Sequence, residues 1–235
     1  AGRGTRMGHL TKTLPKPLLE VSGKTLLEHK FDALPEEADE VILVVGYLGN
    51  MIRERFGGSY KGKKISYVEQ GSVHGTAGAL WSARGILRNK FIVMMGDDLY
   101  GKKDIERACA ADRSGVGTCR RGNTWMMFAQ HLDTVRGGGK IIADRGMVTD
   151  IIESDEHGTG GLISTNLFSL DTRLFEYEMI GKHSGSSEYG LPQTVLAASK
   201  ATGIPLELVQ TDSWIQISTP EDLKKAEKIL QNAKN

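Results

Sequence analysis

Two uninterrupted apolar runs constrain the fold of this chain more than any other feature of its sequence. Residues 41–46 (VILVVG) and residues 91–96 (FIVMMG) each end in glycine. A run without polar alternation is typical of a strand buried on both faces, as in a parallel sheet. Between the two runs, apolar residues recur at helical spacing, and before the first run a capping box at Thr25 and Glu28 marks another helix start. This alternation of strands and helices predicts an α/β fold, a Rossmann-like three-layer sandwich with a mostly parallel central sheet.

The middle of the chain follows a different pattern. Residues 136–171 contain short apolar stretches separated by glycines and polar turns, including the turn at Asp144, Arg145 and Gly146. This pattern predicts antiparallel strands, with one hairpin across that turn. We expect these strands to form an insertion that is laid on the parallel core and covers a ligand crevice.

With 235 residues, 39% of them apolar, the chain is long enough for one large domain, residues 1–235.

The overall composition argues against several kinds of partner and location. A formal net charge of +1 gives no reason to expect binding to nucleic acid or to a membrane surface. The two cysteines, Cys109 and Cys119, fit a reducing compartment better than a disulfide framework. No apolar run is long enough to cross a bilayer and no secretory signal is visible, so we expect a cytoplasmic protein.

The first residues form a glycine-rich loop with two cations nearby. Gly2 and Gly4 allow a tight turn whose amide groups converge on an anion, and Arg6 adds a planar fork suited to phosphate oxygens. Lys16 supplies a second charge between two prolines, which stiffen the backbone around it. For a short motif of this kind, a surface turn with two solvated cations is the alternative. The combination is what a polyphosphate requires.

The position of this loop at the start of the sequence is unusual. Glycine-rich phosphate loops normally follow a buried strand, whereas here the loop begins at Ala1. We therefore expect that a short apolar first strand, missing from this sequence, precedes Ala1 in the parent protein.

A pair of carboxylates follows the second apolar run. Asp97 and Asp98 come at the carboxyl end of a predicted parallel strand, where ligand crevices form in such sheets. Mg²⁺ takes oxygen ligands and substrate phosphates, so Asp97 is a candidate metal ligand. A polar turn that only ends the strand is the alternative.

Several segments together resemble the signature of the sugar-1-phosphate nucleotidylyltransferase family. They occur in the family's order along nearly the whole chain: GRGTRM at residues 2–7, PKPL at 15–18, GTAGAL at 75–80, MGDD at 95–98 and a closing segment at 214–223. The resemblance implies transfer of a nucleotidyl group from a nucleoside triphosphate to a sugar 1-phosphate, which yields a nucleotide sugar and pyrophosphate. It also implies Mg²⁺ as cofactor and these small molecules as partners, and it allows a homo-oligomer.

The resemblance also assigns roles to individual residues. Arg6 would neutralise the leaving β- and γ-phosphates, Lys16 would bridge the α-phosphate and the attacking phosphate, and Asp97 would hold the metal together with Gln216. The residues implied in nucleotide binding are Ala1, Gly2, Gly4, Thr5, Gln70, Gly75 and Thr76, and those implied in sugar binding are Gly139 and Glu153. Residues 1–110 would be the nucleotide-binding half, and about 111–235 would be the sugar-binding half with the closing helices.

One position departs from the family pattern at the implied metal site. Family members usually carry aspartate as the second metal ligand where this chain has Gln216. Glutamine is neutral and offers one carbonyl oxygen to Mg²⁺. Three explanations compete: a site that works with Asp97, substrate phosphates and water; a regulatory protein that binds nucleotide or nucleotide sugar without turnover; or an introduced substitution.

The base and one alternative class of enzyme stay open. Gln70 resembles the uridylyl and thymidylyl members, whereas GTAG at residues 75–78 also resembles guanylyl members, so UTP or dTTP is favoured over GTP. Nucleotide-sugar glycosyltransferases share an α/β core and an acidic metal motif, and they form the second alternative. They lack the coupled Gly-x-Gly-Thr-Arg and Pro-Lys-Pro segments, and they would transfer sugar without releasing pyrophosphate.

Overall fold

The computed structural model describes residues 2, 4–72, 74–110, 123–134, 138–154 and 160–232. Its helices are α1 (Leu26–Ala33), α2 (Gly49–Phe56), α3 (Gly75–Ser82), α4 (Lys102–Ala110), α5 (Leu191–Thr202) and α6 (Pro220–Asn232), with 3₁₀ helices at Thr5–Thr11, Lys16–Leu18 and Thr172–Glu176. Its strands are β1 (Glu20–Val21), β2 (Lys24–Thr25), β3 (Glu40–Val45), β4 (Ser59–Tyr60), β5 (Lys63–Glu69), β6 (Lys90–Val93), β7 (Trp125–Leu132), β8 (Gly138–Asp144), β9 (Met147–Ser154), β10 (Gly161–Asp171) and β11 (Leu206–Thr211). None of the helices in these ranges combines the length and the apolar character needed to span a membrane.

Contacts divide the chain into two compact units. Unit 1 comprises Ala1–Gln70, Met95–Ile105 and Ser213–Asn235, and unit 2 comprises Gly71–Met94 and Glu106–Asp212. Neither unit is a single stretch of sequence, so the chain passes from one to the other more than once.

Unit 1 contains a three-stranded sheet with helices packed against it. The strand order is β3-β5-β4, with β3 parallel to β5 and β4 antiparallel to it. The predicted capping box starts α1: the amide of Glu28 donates to Thr25 Oγ1 at 3.1 Å, and the amide of Thr25 donates to Glu28 Oε2 at 2.8 Å. An apolar cluster joins these elements and consists of Leu18, Leu27, Phe31, Val45, Ile52, Phe56 and Ile65.

A second apolar cluster of unit 1 brings together segments that are distant in the sequence. It consists of Met7, Leu19, Val21, Leu26, Leu99, Ile217 and Ala226. Met7 belongs to the glycine-rich loop, Leu99 to the loop after the second apolar run, and Ile217 to the closing segment. Full burial of each large apolar side chain contributes about 1.5–3 kcal/mol. The predicted site segments of unit 1 are therefore held by one core.

Unit 2 contains a six-stranded sheet in the order β6-β10-β7-β11-β9-β8. Its core includes the fully buried Trp125 and Phe168 of the sheet and Leu191 of α5. The predicted hairpin is present as β8 and β9, and its turn uses positive φ angles at Arg145 and Gly146. The expectation of antiparallel strands is therefore confirmed for the described part of residues 136–171.

The mixed α/β class is confirmed, but the predicted mostly parallel sheet is wrong. Among the strand pairs of the described residues, β3–β5 and β7–β11 are parallel and the others are antiparallel. The second apolar run forms β6, which pairs antiparallel with β10. An apolar run indicates that both faces of a strand are buried, and a strand can be buried in this way whether its neighbours are parallel or antiparallel. The three-layer arrangement stays a prediction.

Candidate active site

The glycine-rich loop turns into a 3₁₀ helix that is anchored from within unit 1. Gly4 has a left-handed backbone, with φ 64°, and its carbonyl accepts hydrogen bonds from the amide of Met7 and from Thr11 Oγ1, both at 2.9 Å. Met7 is fully buried, whereas Thr5 and Arg6 are exposed. The loop is therefore fixed by a buried side chain while its polar residues stay accessible to a ligand.

Lys16 lies beside this loop and forms an ion pair with Asp97. A Cβ added to Gly4 would lie 3.4 Å from Lys16 Cβ, so the two backbones are close. Lys16 Nζ donates to Asp97 Oδ2 at 2.7 Å, and the two side chains are 10% and 37% exposed. Pro17 packs against Gly96, whose Cβ position would be 3.5 Å from Pro17 Cγ. The predicted catalytic cation and the predicted metal ligand therefore meet in unit 1.

Asp98 is the buried member of the acidic pair and connects to the closing segment. Its side chain is 6% exposed. Asp98 Oδ2 accepts a hydrogen bond from Trp214 Nε1 at 3.1 Å, and Oδ1 accepts one from the amide of Ile217 at 3.0 Å. These bonds satisfy a carboxylate that would be costly to bury alone. Asp98 therefore ties the loop of Asp97 to residues 214–217.

Gln216 lies within this fixed segment. The backbones of Leu99 and Ile215 exchange two hydrogen bonds, of 3.0 and 2.9 Å, as an isolated antiparallel bridge. Gln216 follows directly and is exposed. The segment that carries the predicted second metal position is thus paired to the loop that carries the first.

Four charged side chains interact in this part of unit 1. Burial raises the pKa of Asp98 to about 6, and the charge of Asp97 acts in the same direction, against the Ile217 amide and the ammonium groups of Lys16 and Lys30. Burial lowers the pKa of Lys30 to about 8, while the carboxylates of Asp98 and Asp97 oppose this change. Two ammonium groups and two carboxylates balance one another here.

The donor set of this site suits a hard cation that also binds phosphate. Asp97 and Gln216 offer only oxygen atoms as metal ligands. In the part of the chain that the structure describes, no group of three or more His, Cys, Asp or Glu residues is arranged to hold a metal ion. Mg²⁺ is commonly held by one or two carboxylates together with substrate phosphates and water. A sparse set of protein oxygens fits that mode of binding.

In unit 2, Gly75 and Thr76 hold a neighbouring segment of backbone. Gly75 has φ 91°, and a Cβ on it would lie only 2.3 Å from the carbonyl oxygen of Tyr189. That carbonyl accepts a hydrogen bond from the amide of Ala77 at 3.1 Å. The amide of Leu191 donates to Thr76 Oγ1 at 2.8 Å. Backbone of the segment before α5 therefore fills the space that a side chain at position 75 would need.

The remaining predicted ligand residues have simpler surroundings. Gly139 and Glu153 are register partners on β8 and β9, so the backbones of the two predicted sugar-binding residues are adjacent. The side chain of Glu153 lies outside what the structure describes. Gln70 follows β5 in unit 1, is half-buried, and donates its amide to the carbonyl of Val45 at 2.8 Å.

A comparison with known families covers almost the whole chain. The sequence profile of the family described as "Nucleotidyl transferase" matches residues 1–233. The chain belongs to the nucleotidyl transferase family. The resemblance stated from the motifs is thereby confirmed.

Individual relatives of this nucleotidyl transferase differ in length. The UTP–glucose-1-phosphate uridylyltransferase AglF of Haloferax volcanii is 28% identical over 235 residues, covering 98% of this chain and 94% of AglF. The bifunctional protein GlmU of Methanocaldococcus jannaschii is 25% identical over 98% of this chain, which spans 52% of GlmU. A solved structure of apo UDP-glucose pyrophosphorylase has a TM-score of 0.71 at 18% identity, covering 100% of this chain and 97% of that protein. This last likeness shows a shared fold.

Of the predicted nucleotide-binding residues at the start of the chain, Ala1 lies outside the described residues, and Gly2 is exposed.

The structure of this nucleotidyl transferase also brings to the site residues that the motifs did not single out. Lys30 and Trp214 both contact Asp98, and neither was predicted to do so. Lys30 follows Leu26 by four positions, on the apolar face of α1. A lysine at a core-facing position of a helix was the signal that could have identified it.

Proposed function

We propose that this nucleotidyl transferase moves a nucleotidyl group from UTP or dTTP to a sugar 1-phosphate and releases pyrophosphate. The ion pair between Lys16 and Asp97, next to the backbone of Gly4, is the single observation that carries the proposal. The pair supports the proposal because an ammonium suits phosphate, a carboxylate suits Mg²⁺, and both lie near the glycine-rich loop that we propose as the anion site.

The reaction is a substitution at phosphorus. An oxygen of the sugar phosphate forms a bond to the α-phosphorus of the nucleotide. The bond from the α-phosphorus to the oxygen that bridges to the β-phosphate breaks, and pyrophosphate leaves with the electron pair. The attacking phosphate oxygen is already deprotonated, so the step needs no general base. The main task of the protein is to bring two anions together.

Lys16 and Arg6 carry out this task with different chemistry. Lys16 is held at the edge of the core and bridges the α-phosphate and the attacking phosphate, because its compact ammonium can face two anions at once. Arg6 is exposed on the loop, where its guanidinium can follow the β- and γ-phosphates as they leave. Amides of the loop at Gly2, Gly4 and Thr5 complete the anion site.

Asp97 and Gln216 are the residues that would hold Mg²⁺. When bound, this ion neutralises phosphate charge and orients the triphosphate. Asp97 contributes a carboxylate that is 37% exposed and therefore accessible to a cation. Lys16 pairs with the same carboxylate; bound phosphates would take over the Lys16 ammonium and leave the carboxylate of Asp97 to the ion.

The substrates are assigned from different arguments. Gln70 and the start of α3 at Gly75 and Thr76 are the proposed elements of base recognition, and Gly139 and Glu153 are those of sugar recognition. Because the relative AglF is a UTP–glucose-1-phosphate uridylyltransferase, UTP and glucose 1-phosphate are the first pair to test. The family match favours nucleotidyl transfer over the sugar transfer of a glycosyltransferase.

Gln216 supports a second candidate function. An exposed neutral amide stands where the family usually has a carboxylate, which weakens metal binding. A protein of this kind could bind nucleotide or nucleotide sugar as a regulatory subunit without turnover. The phosphate-binding residues would be the same in both cases, so binding alone does not separate the two candidates.

Pyrophosphate release tests the proposal directly. We expect release from UTP or dTTP with at least one of glucose, mannose and N-acetylhexosamine 1-phosphates, together with the matching nucleotide sugar on chromatography. Asp97→Asn should abolish most of this release. Nucleotide binding by equilibrium dialysis without pyrophosphate from any pair would contradict the enzyme proposal and favour the regulatory candidate.

A further inference from the structure

Lys30 is a buried cation that the proposed reaction does not use. It lies on α1 with 5% of its surface exposed. Its ammonium donates to the carbonyl oxygen of Leu26 at 3.1 Å and to the carbonyl oxygen of Asp98. The first bond stays within α1, whereas the second joins α1 to the loop that carries Asp97. Lys30 is therefore a connection between a rigid helix and a site loop.

Asp98 extends this connection to the closing segment. Its carbonyl accepts from Lys30, while its carboxylate accepts from Trp214 Nε1 and from the amide of Ile217. Asp97 precedes Asp98 in the chain, and Gln216 lies between the two residues that the carboxylate holds. Asp98 is thus bonded to Lys30, adjoins Asp97 in the chain, and binds the residues on either side of Gln216.

The buried charge of Lys30 indicates more than packing. An ammonium group in a core is costly unless it is paired and hydrogen-bonded, and an apolar side chain would fill the same space without that cost. Burial lowers the pKa of Lys30 to about 8, the carboxylates of Asp98 and Asp97 offset part of this change, and the ammonium of Lys16 adds to it. The ammonium of Lys30 therefore interacts electrostatically with the charged side chains of Asp97, Asp98 and Lys16.

We propose that Lys30 is a positioning residue that fixes the loop of Asp97 and Asp98, and through Asp98 the segment of Gln216, in the geometry that binds the catalytic metal. The inference rests on the proposed function, because that function makes Asp97 a metal ligand. In this role Lys30 acts through the carbonyl of Asp98 rather than by touching substrate or metal.

Positioning and simple electrostatics make opposite predictions. Removal of a positive charge near a cation site should strengthen cation binding if charge alone matters. Removal of the hydrogen bond that fixes the ligand loop should weaken cation binding, typically by about 10–100-fold for a residue that orients a metal ligand. The sign of the change therefore separates the two explanations.

Lys63 supplies a matched control in the same unit. It is 7% exposed, and its ammonium donates to the carbonyl oxygens of Pro35 at 2.7 Å and Ala38 at 2.8 Å. Lys63→Met removes a buried ammonium and two carbonyl contacts, as Lys30→Met does. Of the two lysines, only Lys30 donates to the Asp98 carbonyl.

Mn²⁺ binding to the full chain tests the proposal and is measured with a saturating non-hydrolysable UTP analogue, because the proposed site combines protein oxygens with substrate phosphates. Electron paramagnetic resonance distinguishes Mn²⁺ bound to the protein from free Mn²⁺ and from Mn²⁺ bound to the analogue alone. We expect Lys30→Met to raise the Mn²⁺ dissociation constant about tenfold or more. Lys63→Met should leave the Mn²⁺ dissociation constant within about twofold of wild type, because Lys63 donates to the carbonyls of Pro35 and Ala38 and not to the loop of Asp97 and Asp98. Asp97→Asn should weaken binding most. Unchanged or tighter Mn²⁺ binding in Lys30→Met would overturn the proposal.

The indole N–H signals of the three tryptophans give a second readout that does not depend on metal. In ¹H–¹⁵N spectra, the Trp214 signal should shift in Lys30→Met, because its acceptor Asp98 loses a contact, and should stay in place in Lys63→Met. If Lys30→Met does not fold, Lys30→Gln and Lys63→Gln replace the pair with the same expectations. A Trp214 signal that responds equally to both positions would contradict a specific role for Lys30.

These measurements also separate this proposal from the proposed function. A wild-type chain that binds Mn²⁺ through Asp97 but releases no pyrophosphate would refute the enzyme proposal and leave the role of Lys30 to be judged by Mn²⁺ binding. A wild-type chain that binds no Mn²⁺ even with the UTP analogue present would overturn the metal site and the positioning role together. Turnover with unaltered Mn²⁺ binding in Lys30→Met would refute the positioning role alone.

Discussion

Lys16 shows at the residue scale how a mobile side chain is preorganised. It lies 81 positions before Asp97 in the chain, yet the two side chains meet at 2.7 Å. The carboxylate restrains an ammonium that would otherwise sample many rotamers. The same pairing prevents a buried charge from standing alone, because the Lys16 side chain is only 10% exposed. In the proposed reaction, this ion pair holds the ammonium in place before a phosphate binds.

Lys16→Ala should reduce turnover by about 10²–10³, the typical loss when one preorganised donor that stabilises charge in the transition state is removed. Steady-state pyrophosphate release with UTP and glucose 1-phosphate measures the change. Lys12→Ala is the control, because Lys12 is an exposed lysine of the same loop region. Near-normal turnover in Lys16→Ala would contradict the assigned role, and equal losses in both variants would point to a general charge effect.

Gln216→Asp should strengthen metal binding, because a second carboxylate is a better Mg²⁺ ligand than an amide oxygen. We expect the Mg²⁺ concentration for half-maximal rate to fall by about tenfold, which corresponds to about 1.4 kcal/mol. Gln216→Asn gives the shorter side chain without the charge and should not produce this gain. Titration of the rate with Mg²⁺ compares the variants, and a gain in Gln216→Asn would show that length, not charge, is responsible.

The start of α3 illustrates at the element scale how one glycine fixes two segments. Gly75 has a positive φ, and a Cβ added to it would lie only 2.3 Å from the carbonyl oxygen of Tyr189. Backbone hydrogen bonds join Tyr189 to residues on both sides of Gly75: its amide donates to the carbonyl of His74 and its carbonyl accepts from the amide of Ala77, both at 3.1 Å. The helix start and the segment before α5 therefore form one packed piece of unit 2.

Gly75→Ala should destabilise the protein by about 1–3 kcal/mol, because the new Cβ meets backbone and the left-handed conformation is strained for alanine. Urea unfolding gives the size of the effect, and faster hydrogen exchange at the Tyr189 and Ala77 amides gives its location. Gly85→Ala is the control, since a Cβ at Gly85 meets nothing within 4 Å. Unchanged stability of Gly75→Ala would mean that the segment of Tyr189 moves without cost.

At the scale of the whole molecule, ligands that bind only the folded chain should raise its stability. At a concentration of 100 times the dissociation constant, a ligand adds about 2.7 kcal/mol. For a chain of this size, each kcal/mol shifts the melting temperature by about 2–4 °C. We therefore expect Mg²⁺ and UTP together to raise the melting temperature by about 5–10 °C.

Removal of the metal provides the critical comparison in that measurement. EDTA should reverse most of the shift if Asp97 holds Mg²⁺ that is shared with the phosphates. Asp97→Asn should show little shift with or without Mg²⁺. A shift with UTP that EDTA and Asp97→Asn both leave intact would place the nucleotide away from the proposed metal ligand.

Several features of the fold followed from the sequence because their causes are local. The capping box at Thr25 and Glu28 needs only hydrogen bonds three residues apart, and it is present. The hairpin of β8 and β9 needs only a turn with permissive residues between two apolar stretches, and it is also present. The order of the motifs indicated the family, since each motif is a short stretch whose chemistry stays recognisable without its surroundings.

The direction of strand pairing and the burial of polar side chains required the tertiary structure. β6 was expected in a mostly parallel sheet, but its partner β10 is antiparallel and far along the chain. The contacts of Asp98 reach Lys30 and Ile217 across 68 and 119 positions. No local pattern encodes such pairings, because they depend on which distant segments share a core.

The sequence by itself therefore indicated the family, the glycine-rich loop proposed to bind phosphate, and the residue types that meet beside it. The tertiary structure alone decided that Lys16 faces Asp97, that Lys30 is buried against Asp98, and that backbone occupies the space beside Gly75. The physical reason is range: caps, turns and periodicity arise from neighbours along the chain, whereas charge pairing and burial arise from neighbours in space.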